Sequence, residues 1–225
     1  MPHHDPFLLL ELLGPDVSLC RRALSGEAGV ALPPLIDHHV HLHLIDERRL
    51  GAHGIAGVLD LGGDPVTLAQ RPHAGMPRVA YAGAFLTAPG GYPVGRSWAP
   101  AAAVREVTDP SAHPGVAGGA ATAVDEQVSF GAAVIKVALN AQAGPLPDAA
   151  TLAAIMEAAR EHGLPVVAHA QGAGTAQIAI DAGIDTLAHT PFTELLDAAL
   201  SPARWPADSD GSQRSTSIAT RSGAA

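Results

Sequence analysis

Short apolar runs separated by amphipathic stretches set the rhythm of this chain. Residues 35–42, 54–62, 78–87, 133–139, 165–171 and 186–190 are aliphatic or β-branched and bounded by Gly or Pro, and each reads as a buried strand. Between them lie helical patterns: a short helix from Pro65, one over 120–130, and the clearest over 148–162. In that last helix Asp148 stands at the cap position, Leu152, Ile155, Met156 and Ala159 form an apolar stripe, and Gly163 stops it. A further helix is expected over 174–181 and a last one from about Phe192. Strand-then-helix order with strands apolar on both faces predicts a parallel sheet, closed as a barrel or open and doubly wound.

Four of these runs are interrupted by basic nitrogen side chains. Period-two alternation puts His39, His41 and His43 on one face of the first strand, with His38 and Val40 on the other. Lys136 lies inward with Val134 and Ala138, and His169 and His189 fall at the ends of the next two strands. A polar group in such a strand is costly to bury without a strong partner. A lone inward histidine is more often a satisfied core residue than a ligand, but four at matching depths on different strands share a reason. The simplest shared partner is a metal ion. Lys136, neutralised by burial, can take up carbon dioxide as a carbamate able to bridge two cations. Imidazole with hard oxygen suits zinc, and manganese, iron or nickel less distinctively.

The placement of these groups near the carboxyl ends of four strands selects a (β/α)8 TIM-type barrel of the α/β class, where sites are built at that end. No Gly-x-Gly-x-x-Gly turn supports a dinucleotide fold. Only six βα units can be counted, so the barrel is expected to be incomplete, lacking its last two. An open six-stranded sheet would leave long edges that a homo-oligomer could cover. The domain reading is a leader over 1–32, a truncated barrel over 33–200, and a tail over 201–225. In that tail the rhythm stops and the composition turns small and polar, as in a disordered or frameshifted segment.

Composition narrows the functional classes. The net charge of −9 argues against nucleic acid. No apolar run has the length of a membrane helix, and the single Cys20 fits a reducing compartment. A cytoplasmic protein acting on a small-molecule substrate is the expectation.

On these residues the chain resembles the amidohydrolase superfamily, in its imidazolonepropionase-like and prolidase-like branch. Asp37-His38-His39-Val40-His41 stands where that family has Asp-x-His-x-His, Lys136 matches its carboxylated lysine, and His169 and His189 match its fifth- and sixth-strand histidines. Residues 54–63 and 76–92 resemble its second strand and its third strand with the following loop. The resemblance implies a divalent-metal centre, two zinc ions on His39, His41, carbamylated Lys136, His169 and His189. The implied activity is hydrolysis of amide, dipeptide or cyclic amide C–N bonds by a metal-activated water, with no covalent intermediate. The alternative is an inactive metal-binding fragment. The family's strand-eight Asp has no counterpart, because Asp208 and Asp210 fall in the polar tail, so no catalytic residue is assigned. Tyr92 stands where many relatives carry histidine, and Tyr92, Arg96 and Trp98 lie on a long loop that could cover a substrate. Asp37 is expected either to orient an imidazole or to cap a turn. His38, His53, His73, His113 and His162 are expected at the surface, with His43 near a loop and His3 and His4 in a polar leader.

Overall fold

The computed structural model describes residues 18–21, 28–72, 74 and 76–194. Its strands are β1 (Ser18–Arg21), β2 (Ala28–Ala31), β3 (Leu35–Val40), β4 (Ile55–Asp60), β5 (Arg78–Tyr81), β6 (Phe85–Thr87), β7 (Val104–Glu106), β8 (Ile135–Asn140), β9 (Val166–Gln171) and β10 (Thr186–Leu187). The helices are α1 (Pro65–Ala69), α2 (Ala120–Ser129), α3 (Ala149–Glu161) and α4 (Thr175–Asp181). All pairing outside the β1–β2 hairpin is parallel, in the orders β3-β4-β5 and β10-β9-β8-β6-β7. These orders follow the wall of a (β/α)8 barrel through its first six strands, and the wall is not closed among the described residues. None of the helices of three or more turns can cross a membrane among those residues, because none is long and apolar enough.

The run 78–87, expected as one strand, is two. Its first half pairs with β4 and its second with β8 and β7. Gly83 turns the chain between them at φ +77°, where a Cβ would meet Gln127 Oε1 at 2.4 Å. That same oxygen accepts the Ala84 amide at 2.8 Å, so a buried side chain of α2 plugs the break. The wall stays continuous there, since Ala82 N–H donates to the Asp60 carbonyl and Ala133 N–H to that of Tyr81. Gly83→Ala therefore combines a disfavoured left-handed backbone with a steric clash. It is expected to destabilise the chain by about 2 kcal/mol or more, read as a lower denaturant midpoint at unchanged slope.

Alternation sorts the sheet's two faces. Ile135, Val137 and Leu139 point outward into the large core with Val124 of α2 and Leu152, Ile155 and Ala159 of α3. The intervening positions point inward. There Val134 and Val167 join Leu59, Leu61 and Ala82 in a second apolar cluster, which floors the barrel one step below Lys136 and His169. Helix α3 matches its sequence reading: Asp148 accepts the Thr151 amide at 2.7 Å, its four stripe residues are buried, and Gly163 adopts φ +67°. Three features were not anticipated. The β1–β2 hairpin lies within the segment read as a leader, β7 follows the long loop, and residues 192–194 are not helical. The rest of the expected last helix, residues 201–225, His3, His4 and His73 lie outside the described residues.

Candidate active site

The strand ends bring the five predicted groups together. The His39 and His41 rings meet edge to face at 5.2 Å, those of His169 and His189 at 4.6 Å, and His39 lies parallel to His189 at 5.9 Å. The charge of Lys136 bears on all four and lowers each. The backbone stays extended through His41, although β3 shifts register against β4 between Asp37 and Val40, and the extended run then ends. The chain coils into a 3-10 turn over Leu42–Leu44, so His43 leaves the row and its ring lies parallel to Trp98.

Hydrogen bonding fixes where lone pairs are available. His39 Nδ1 donates to the Ala188 carbonyl at 3.1 Å, and His41 Nδ1 donates to the Gly62 carbonyl at 3.0 Å. A carbonyl only accepts, so in both neutral rings Nδ1 carries the hydrogen and Nε2 is bare. Such a carbonyl partner is the usual support of a metal-ligating imidazole. Across the site His169 Nδ1 and His189 Nε2 face each other at 2.8 Å. Burial, helped by neighbouring positive charge, brings His39 and His41 down to about 4 and His169 to about 3. His189 is lowered as well, mainly by burial. All four are therefore neutral at pH 7, the form that binds a metal.

Lys136 is the most strained of the set. It is 1% exposed, its Nζ has no hydrogen-bond partner, and burial alone lowers it to about 7. His189 Nδ1 is likewise buried without a partner. Unpartnered buried polar atoms are rare in folded proteins and call for an explanation. Among the described residues no three His, Cys, Asp or Glu side chains already stand in an arrangement that would hold an ion. The histidines meet two by two, and the fifth donor is the lysine. Two bare Nε2 atoms, two facing ring nitrogens and an orphaned amine make a donor set that fits divalent metal ions.

The loop after β6 supplies the roof. Tyr92 stacks on His169 with ring centres 4.8 Å apart, and Trp98 lies against His41, Phe85 and Tyr92 at 5.8 to 6.0 Å. The Trp98 carbonyl meets His43 Nε2 at 3.0 Å, which ties the loop to the first strand's end. Arg96 is exposed on that loop, near enough to Tyr92 for its charge to favour the phenolate against burial. The Asp37 carboxylate accepts the His39 amide at 3.0 Å within β3, where the strand shifts register against β4, so its partner is a backbone amide of the strand and not the end of a turn. His38, His53, His113 and His162 are exposed, as expected.

Sequence reasoning missed Asp60. Fully buried at the end of β4, it accepts the Leu42 amide at 2.7 Å and the Gly62 amide at 2.9 Å. It thereby holds together the strand ends carrying His41 and its carbonyl partner. Burial raises its pKa, against the two backbone N–H groups that favour the carboxylate. A lone acid closing an apolar run before Leu-Gly-Gly was the available signal.

No protein-family model and no curated protein sequence matches the chain. Solved structures do. An amidohydrolase structure aligns at a TM-score of 0.56 with 24% identity, over 69% of this chain and 47% of that one. A Xaa-Pro dipeptidase, solved with methionine in its active site, aligns at 0.56 with 22% identity, over 77% and 52%. The A. niger ochratoxinase aligns at 0.54 with 24% identity, over 69% and 46%. The chain thus spans about half the length of these structures. Over its described residues it has the fold of the amidohydrolase and prolidase structures, a parallel α/β barrel wall left open after six strands.

Proposed function

We propose that the chain is a metal-dependent hydrolase of C–N bonds in amides, dipeptides or cyclic amides, acting on a small molecule in the cytoplasm. The observation that carries this reading is Lys136. A buried amine without a partner, lowered to about 7 and ringed by four neutral imidazoles, is placed to be converted rather than to pair. As the free amine it adds carbon dioxide, forming an N–C bond and releasing a proton, and the product is a carbamate whose two oxygens carry the negative charge. His39 and His41 would then hold one ion through Nε2, His169 and His189 a second, with the Lys136 carbamate shared. Two divalent ions there, zinc by the donor set, would polarise a scissile carbonyl and lower the pKa of a water. The apolar floor of Leu59, Leu61, Val134 and Val167 excludes bulk water from below.

The roof would receive the substrate. Tyr92 and Trp98 offer flat apolar walls next to His169 and His41, and Arg96 a cation at the rim. Tyr92→Ala is expected to raise KM about tenfold, equivalent to roughly 1.4 kcal/mol of binding. Its zinc content should match wild type, and a loss of metal instead would assign Tyr92 to holding the centre.

A second reading is an inactive metal-binding fragment, and one observation favours it. Among the described residues no carboxylate is hydrogen-bonded to Lys136 Nζ or to a ring nitrogen of the four histidines, which leaves proton transfer to a leaving amine without an assigned acid. Zinc analysis beside turnover on a panel of dipeptides, N-acyl amino acids and cyclic amides separates the two. The proposal expects bound zinc with turnover. Bound zinc without turnover supports the fragment, and neither one overturns both readings.

A further inference from the structure

Asp60 is fully buried at the carboxyl end of β4, and the proposed chemistry gives it no part. Its carboxylate spans His41. One oxygen, Oδ2, accepts the amide of Leu42, the residue that follows His41, at 2.7 Å. The other, Oδ1, accepts the Gly62 amide at 2.9 Å, and the Gly62 carbonyl in turn accepts His41 Nδ1 at 3.0 Å. A single side chain thus holds the main chain leaving His41 and the peptide that receives its ring.

The position needs such a device. The pairing of β3 with β4 ends at Val40, opposite Asp60, so His41 lies just beyond the ladder. The next residue already belongs to the 3-10 turn. The receiving peptide is confined from its other side. Gly62 adopts φ +147°, and a Cβ there would lie 2.1 Å from Cε2 of Phe85, whose own ring centre is 5.4 Å from that of His41. On either side of Gly62, Leu61 N–H donates to the Val40 carbonyl at 3.0 Å and Gly63 N–H to that of Gly83 at 2.9 Å. His39 is held by a separate arrangement, since its Nδ1 donates across the mouth to the Ala188 carbonyl.

We propose that Asp60 is a positioning residue for His41: by fixing the Leu42 amide and the Gly62 peptide together, it aims the imidazole into the site. The position requires a carboxylate. Both partners are N–H donors, and an amide of the same shape would turn its own NH2 toward one of them. The consequence for metal rests on the ligand role proposed for His41, whereas the aim of the ring does not.

Zinc affinity of the full chain, measured by competition with a chelating dye, tests this as a cycle of wild type, Asp60→Asn, His41→Ala and the double variant. Asp60→Asn should weaken one zinc ion roughly 10- to 100-fold. In the His41→Ala background the same change should alter affinity by less than about twofold. A merely structural role predicts an equal loss with and without His41, or no loss at all, and either result overturns the proposal. Crystals of the metal-free chain read the ring itself. The His41–Gly62 bond should be lost in Asp60→Asn with the barrel wall unchanged, and a ring that stays in place also overturns the proposal. Should Asp60→Asn fail to fold, Gly62→Ala displaces the receiving carbonyl by way of Phe85 and carries the same expectation in the cycle. A loss independent of His41 in that variant breaks the link from Asp60 through Gly62. If His41→Ala binds zinc as wild type does, the ligand assignment fails, and the metal-free crystals still decide the role of Asp60.

Discussion

Replacing Lys136 by alanine should strip at least one zinc ion from the chain, and a short carboxylic acid supplied in solution should partly restore it. The inward residues flanking Lys136, Val134 and Ala138, are apolar, and the next one along, Asn140, carries a neutral amide that cannot supply the charge of a carbamate. A carboxylate of acetate or propionate size fits the space left by the side chain and reproduces the oxygens of a carbamate. If Lys136 served only to pack the barrel, Lys136→Ala would lose stability by leaving a cavity, while zinc per folded molecule stayed the same. Metal analysis of the two proteins after dialysis, with and without the acid, distinguishes these outcomes. Equal occupancy in both would end the carbamate proposal.

The second large effect is on the stability of the metal-free chain as pH changes. The histidines have folded pKa values below their ordinary 6.5, His39 and His41 at about 4 and His169 at about 3. Between 6.5 and those values the unfolded chain binds more protons than the folded one, so stability falls as pH falls through that window. Above 6.5 these rings are neutral in both states and contribute no slope. Lys136 acts in a second window. Its folded value of about 7 against an ordinary 10.5 means that, between those limits, the unfolded state keeps a proton the folded state has lost. Stability should therefore rise from about pH 7 to about 10.5, at most by the 3.5-unit difference, about 5 kcal/mol. Denaturant midpoints across pH should trace both limbs. Lys136→Met, which keeps the volume and removes the charge, should flatten the upper limb and only lessen the acid limb, because burial lowers the histidines more than the lysine's charge does. An upper limb unchanged in that variant would show that the lysine is not a buried, strained amine.

The parts of this architecture that local sequence determines were the legible ones. Helix α3 carries its own cap in Asp148, its stripe and its stop at Gly163. Strands β8 and β9, buried along most of their length, betray themselves as apolar runs, whereas the run from Leu35, expected to be buried, has Leu35 and Ile36 exposed. The five candidate ligands were visible because period-two alternation is rigid: once Val134 and Ala138 face inward, Lys136 must as well. What escaped depends on partners distant in sequence. The break at Gly83 exists because Gln127, on the following helix, reaches back to fill it. Asp60 looks like the polar end of a strand until Leu42 and Gly62 present their amides to it. His43 left its predicted row because the chain coils after His41, and it found the Trp98 carbonyl across the barrel's mouth. The hairpin at Ser18–Arg21 and Ala28–Ala31 escaped because neither strand is long or alternating enough to stand out. Asn140 reads as an ordinary strand end, and only the register of β8 on β9 brings it against His169.

The central claim, that these five side chains form a metal centre, is tested most directly by crystals of the full chain grown with zinc and bicarbonate. Anomalous scattering recorded at the zinc edge should place zinc among His39, His41, Lys136, His169 and His189, with density for a carbamate continuing from Lys136 Nζ. A map with zinc absent from that cluster, and Lys136 ending in a free amine, would contradict the account.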